Sequence, residues 1–146
     1  MMAELSSETL HASCVAIDGR AVLIEGRSGS GKSDLALRLI DRGAVLVSDD
    51  YTLVTRSGQA LNASAPERIT GKIEVRGVGV VEMTAQTDVP VALMLTIEDR
   101  PDRLPEPGSG RRIAGVAIPV HPIAALEASA PIKAELILSK IIEDAG

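Results

Sequence analysis

The sequence predicts an α/β P-loop domain with a partly antiparallel sheet and C-terminal helices. Three observations carry that prediction. An apolar run, Ala21-Val22-Leu23-Ile24, leads into Gly26-x-x-x-x-Gly31-Lys32-Ser33, the spacing of a phosphate-binding loop. A helical pattern follows at once, with Leu35, Leu39 and Ile40 at three- and four-residue steps among Asp34, Arg38 and Asp41. Ahead of the run, Asp18-Gly19 is a two-residue hairpin signal, which makes the stretch from His11 to Asp18 an antiparallel neighbour of the P-loop strand.

The elements then read in order. Residues 1–10 form a polar lead-in to a single domain spanning 1–146. His11 to Asp18 is the first strand, Ala21 to Ile24 the second, and the P-loop helix stops near Arg42-Gly43. Ala44 to Ser48 is a short apolar strand that runs into Asp49-Asp50. Tyr51 to Thr55 and a return through Gln59, Ala60 and Leu61 make a hairpin around Arg56-Ser57-Gly58, and Asn62 to Thr70 is a polar connection around Pro66. Lys72 to Glu82 reads as a strand that Gly77 and Gly79 bend or open to another backbone. Glu74 and Arg76 share a face by the two-residue period. Val89 to Ile97 is the most hydrophobic strand and a central one. Glu98 to Arg112 is a charged, proline- and glycine-rich connection, either a working loop or a disordered one. Ile113 to Val120 is a further strand closed by His121-Pro122. Two helical pieces, Ile123 to Ala130 and Ile132 to Asp144, end the chain.

Composition narrows the function. With 146 residues and a 45% hydrophobic fraction the chain can bury one core. Its single cysteine, Cys14, excludes an internal disulfide and suits a reducing compartment. The N-terminus has neither the basic start nor the apolar centre of a signal peptide, and no apolar run is long enough to span a bilayer, so a cytoplasmic protein is expected. A net charge of −5 argues against nucleic acid as the partner, and one Tyr with no Trp or Phe leaves no base-stacking platform. A nucleotide would therefore be held chiefly by its phosphates, with Tyr51 the one ring on which a base could stack.

The chemistry of the P-loop follows from its residue types. Gly26, Gly29 and Gly31 let the backbone curl so that the amides of Arg27, Ser28, Ser30 and their neighbours point at phosphate oxygens. The helix N-terminus adds partial positive charge, Lys32 is a mobile cation for the outer phosphates, and the hydroxyl of Ser33 is a ligand for Mg²⁺. Two carboxylates at the end of a buried strand need cations or hydrogen bonds. In a strand, Asp49 and Asp50 point to opposite faces, so one suits Mg²⁺ and the other a free base, although a solvated Asp-Asp turn fits the same residues. The hairpin folds His11 back toward the loop, where it is a candidate for tuning an acid; a surface histidine at a strand start fits equally well.

In order and spacing, His11, Gly26-Arg-Ser-Gly-Ser-Gly-Lys-Ser33, Val47-Ser-Asp-Asp50 and Ile73-Glu-Val-Arg-Gly-Val-Gly79 resemble the catalytic domain of bacterial HPr kinase/phosphorylase. Asp102-Arg103-Leu104 and Ile118-Pro119-Val120 resemble the family's later landmarks, and the resemblance covers roughly residues 10–125. It implies the phosphoenolpyruvate-carboxykinase-like P-loop fold, with mixed and partly antiparallel sheets. It also implies an ATP- and Mg²⁺-dependent kinase of a serine on HPr, the carrier protein of the sugar phosphotransferase system. The reverse step, attack of inorganic phosphate on phosphoserine to give pyrophosphate, comes with it, as does a homo-oligomer, a hexamer in the family. By position, the resemblance makes Asp50 the base, His11 its tuning partner, and Asp49, Ser33 and Glu74 the Mg²⁺ neighbourhood. Lys32 holds phosphates, and Arg103 resembles an arginine tied to phosphate chemistry. The chain departs from the family at Val120-His121-Pro122-Ile123-Ala124, where a basic run that helps hold the hexamer and the protein substrate is usual. Two other readings compete: a P-loop kinase of a small hydroxylated metabolite, and a nucleotide-binding regulator of phosphotransferase proteins without turnover.

Overall fold

A computed structural model describes residues 6–103 and 110–145. Eleven strands, one short 3₁₀ turn and two helices follow one another through these residues. β1 (Ser7–Leu10), β2 (Ala12–Ile17) and β3 (Arg20–Glu25) precede α1 (Lys32–Asp41). β4 (Val45–Ser48), β5 (Thr52–Ser57) and β6 (Ala60–Ser64) come next, then the 3₁₀ turn at Glu67–Ile69. β7 (Lys72–Val75), β8 (Gly79–Glu82), β9 (Val89–Ile97), β10 (Gly110–Ile113), β11 (Val116–Ile123) and α2 (Ala130–Ala145) complete the order.

The main sheet is mixed and runs β1-β5-β6-β9-β3-β2-β4. β2 and β3 form the predicted antiparallel hairpin. Asp18 and Gly19 both take positive φ, 50° and 78°, the conformation a tight two-residue turn between twisted strands requires. β9 lies at the centre as predicted: β3 runs parallel along one edge, while β6 and β11 divide the other, β6 at its start and β11, parallel, at its end. β2 is held between β3 and β4, with a register irregularity between Cys14 and Val15 on the β4 side.

Alternation along these strands builds two cores, one on each face of the sheet. Val22, Ile24, Leu93 and Leu95 pack with Leu35 and Leu39 of α1 and Leu138 of α2. Leu23, Met94 and Cys14 pack on the opposite face with Val54 and Leu61. Both faces of β3 are therefore dry, which is why its sequence is a continuous apolar run.

Several elements differ from the sequence reading, each for an identifiable reason. Ser7–Leu10, read as lead-in, is a polar edge strand whose partner is β5; edge strands tolerate polar residues because one side stays wet. Residues 62–64 extend β6, and 67–69 form the 3₁₀ turn, so the connection around Pro66 is shorter than expected. The 72–82 stretch is a separate two-stranded hairpin, β7 with β8, turning at residues 76–78. A Cβ on Gly77 or Gly79 would meet nothing, so these glycines, at φ 83° and 116°, serve the bend and not a close backbone approach. Gly110–Arg112, assigned to the long loop, pair with β11 around a turn at Ala114-Gly115. Of that loop, residues 104–109 lie outside those described.

The helix expected over 123–130 does not form: Ile123 ends β11, Ala130 begins α2, and 124–129 between them are turn. The carbonyls of Ala125 and Glu127 accept from the guanidinium of Arg38 instead, and Pro131 has no N–H to return to Glu127. Only α2 follows. Among the described residues no helix is long and apolar enough to cross a membrane.

Candidate functional site

The P-loop leaves β3 at Gly26. A Cβ there would lie 2.5 Å from Ser30 Oγ and 3.1 Å from the side chain of Ile97, so any larger residue would have to displace the Ser30 side chain. Ser30 N–H donates to Arg27 O at 3.0 Å, and Gly29 and Gly31 take φ 80° and 103°. Lys32 is nearly buried, and its Nζ donates to the carbonyls of Gly26 and Arg27 at 2.8 and 3.2 Å. The ammonium is thus folded over the anion-binding turn. Ser30 Oγ is buried without a hydrogen-bond partner among the described residues, an unpaired donor within a loop shaped for anions.

The two acids do not diverge as a continuing strand would make them. Tyr51 N–H donates to Asp49 O at 2.7 Å, closing a three-residue turn with Asp50 at its centre and φ at 65°. That turn aims both carboxylates into one cavity. Asp49 is buried; its Oδ1 accepts from Ser33 Oγ at 2.5 Å and Ser13 Oγ at 3.1 Å, and its Oδ2 accepts from Glu74 N–H at 3.0 Å. Asp50 is half exposed, with Oδ1 3.0 Å from His11 Nε2 and 3.8 Å from Lys32 Nζ. The carboxylate accepts, so Nε2 is the protonated nitrogen of His11 in this contact. Tyr51 stacks on that imidazole, centroids 4.9 Å apart and planes 17° from parallel.

Both acids face a cavity of about 570 Å³. It is lined by Ser28, Gly29, Gly31, Lys32 and Ser33 of the phosphate loop and first helical turn, by Glu74, Val75 and Arg76 of the β7–β8 hairpin, and by Leu37 and Leu126. Glu74 and Arg76 both line the cavity, but Arg76 lies in the hairpin turn beyond β7, so the shared strand face expected from the two-residue period is not what brings them together. Gly26, Arg27 and Ser30 build the loop without lining the cavity, and Arg103 is exposed and does not line it.

Among the described residues no group of three or more His, Cys, Asp or Glu converges as a ready metal cage. Mg²⁺ does not need one, because it keeps waters and substrate phosphates in its shell and takes one or two carboxylates from the protein. The oxygen donors of Ser33, Asp49 and Glu74 fit that pattern.

Two features were not anticipated from the sequence. Ser13 is fully buried; its hydroxyl donates to Asp49 and accepts the N–H of Asp50 at 3.0 Å, so one side chain fixes both acids. A lone hydroxyl in the apolar stretch of β2 was the available signal. The second is an ion pair, Arg111 Nη1 to Glu25 Oε2 at 2.6 Å, which ties β10 to the end of the P-loop strand. The hydrogen bond that Arg111 donates to Glu25 raises the guanidinium's pKa above its ordinary value.

A profile described as HPr Serine kinase C-terminal domain matches residues 3–143. The HPr kinase/phosphorylase of Alkaliphilus metalliredigens is 37% identical over 94% of this chain and 47% of its own length. That of Limosilactobacillus reuteri is 33% identical over 95% of this chain and 45% of its own length. The chain therefore spans about half the length of the relatives it matches. The solved structure of the Hpr(Ser) kinase/phosphatase from Coxiella burnetii superposes with a TM-score of 0.81 at 28% identity, covering 95% of this chain and 99% of that one.

Proposed function

The chain belongs to the family of HPr serine kinase C-terminal domains, and from that premise we propose that it transfers the γ-phosphoryl group of ATP to a serine of HPr and runs the reverse phosphorolysis. The observation that carries this reading is the placement of Asp50, half exposed on the same cavity as Lys32 and 3.8 Å from its ammonium. A base there is reachable by a side chain brought from outside and lies beside the phosphate cradle.

In the forward direction the seryl oxygen forms a bond to the γ-phosphorus as the bond to the β-phosphate oxygen breaks, and ADP leaves. The seryl proton passes to Asp50. In reverse, inorganic phosphate attacks phosphoserine, pyrophosphate forms, and the proton on Asp50 returns to the seryl oxygen. His11 orients the Asp50 carboxylate through Nε2, and Tyr51 holds the imidazole plane. Lys32 and the loop amides neutralise charge on the transferring group, where most of the acceleration lies; the base adds ~10²–10⁴-fold. Ser33, Asp49 and Glu74 would hold Mg²⁺, which would neutralise the β- and γ-phosphate oxygens. Asp49 keeps Ser33 aimed at that point through their hydrogen bond.

The test is incubation of the chain with Mg-ATP and purified HPr, followed by intact-mass measurement. A gain of one phosphoryl group on HPr is expected, and Asp50→Asn should abolish it while ATP binding persists. Transfer to a small metabolite instead would favour the metabolite-kinase reading. ATP binding with no transfer by the wild type would favour a regulator without turnover.

A further inference from the structure

Leu126 is 76% exposed, yet it lines the phosphate cavity, so close to the loop that a Cβ on Gly31 would lie 3.1 Å from its Cδ2. Its backbone is not loose. Arg38 donates to the carbonyls of Ala125 and Glu127 on either side and also to Asp34 at 2.9 Å, clamping the turn to α1. Ala125 is buried beneath it. Among the described residues this clamped aliphatic side chain is left largely uncovered beside the phosphate loop.

Topology says what would lie on it. β3, β9 and β11 are mutually parallel, and their carboxyl ends share one edge. The P-loop follows β3 and the Leu126 turn follows β11, so both border the crevice in which open α/β sheets bind ligands. On the proposed kinase reading, the outermost phosphate is handled beside Asp49, Asp50 and Glu74, which line the cavity together. A nucleotide whose terminal phosphate points there carries its base and ribose away from the carboxylates. Tyr51 is stacked on His11 and does not line the cavity.

We infer that Leu126 is the wall on which the base and ribose of the phosphoryl donor pack, making this side chain the apolar subsite of a nucleoside triphosphate. The inference rests on the proposed kinase reading of the cavity and assigns the part of the donor that the phosphate loop does not hold. An aliphatic surface does not read hydrogen-bonding edges, so purines should be accepted alike.

The experiment compares ligands with and without a nucleoside. Mg-ATP, Mg-GTP and Mg-tripolyphosphate are titrated calorimetrically into the full chain, the Leu126→Ser variant and the Leu126→Met variant. Leu126→Ser should weaken ATP and GTP on the order of tenfold, equal to about 1.4 kcal/mol, and leave tripolyphosphate within about twofold. Leu126→Met, which keeps an apolar surface, should restore nucleotide binding. Equal weakening of tripolyphosphate and ATP would overturn the inference, since the leucine would then act through the loop itself. So would unchanged ATP binding by Leu126→Ser. A wild-type chain that binds neither ATP nor tripolyphosphate would instead fell the kinase reading, and the inference with it.

Discussion

The hydroxyl of Ser33, on the first turn of α1, donates to the carboxylate of Asp49 at 2.5 Å across sixteen residues of chain. Two oxygen groups from different elements thereby meet at one point in the cavity lining. Asp49→Asn keeps the shape and removes the charge. Mg²⁺ affinity in the presence of ATP should drop by no less than the about 10–100-fold that losing an outer partner of a metal ligand costs. Titration of activity against free Mg²⁺ would show the curve displaced to higher concentration.

Ser13→Ala should lower stability by about 1–3 kcal/mol, because it leaves the buried Asp49 oxygen and the N–H of Asp50 short of a partner. Thermal or urea unfolding measures this. Phosphorylation of HPr should fall further than ATP affinity does, since the substitution loosens the Asp50 turn more than the phosphate loop.

Gly26→Ala should abolish nucleotide binding while the sheet still forms. The added methyl would collide with Ser30 Oγ and crowd Ile97, displacing the buried Ser30 side chain within the loop. Circular dichroism close to wild type, with no calorimetric signal for ATP, is the expected pair of results.

The thiol of Cys14 is fully enclosed, and burial pushes it far above its ordinary value of 9.0. The folded chain keeps that proton at pH values where the unfolded chain loses it. The contribution to stability is therefore intact below pH 9 and is lost as pH rises beyond it, by up to about 1.4 kcal/mol per pH unit. Urea unfolding between pH 8 and pH 10.5 (about one and a half units past the ordinary value) should show a steeper decline for wild type than for Cys14→Ala. Thiol reagents should label Cys14 only after denaturation.

What could be read from the sequence was short in range. The glycine loop, its flanking strand and helix, and the Asp18-Gly19 hairpin are each specified by residues next to one another. Other turns were hidden because ordinary residues occupy uncommon backbone regions. Ala114 at φ 48° gives no turn signal, so the β10–β11 hairpin was read as loop and strand. Asp50 at φ 65° sends its carboxylate where a regular strand would not, so the identity of the acids was legible and their shared direction was not. The short helix expected over 123–130 has adequate local propensity. It is displaced by Arg38, a residue 87 positions away from Ala125, and contacts of that range leave no mark on a window of sequence.

β2 has a consequence beyond its own packing. It carries β3, and hence the anion loop, on one side and β4, and hence the two acids, on the other. The gap between donor cradle and proton acceptor is thus gauged by main-chain ladders on a single ribbon, and the irregularity at Cys14/Val15 sits one step from Ser13. Lengthening the Asp18-Gly19 turn would leave that gauge unaltered. Inserting one residue between Ser13 and Val15 would re-phase the ribbon and throw the acids out of line with a loop that is itself untouched.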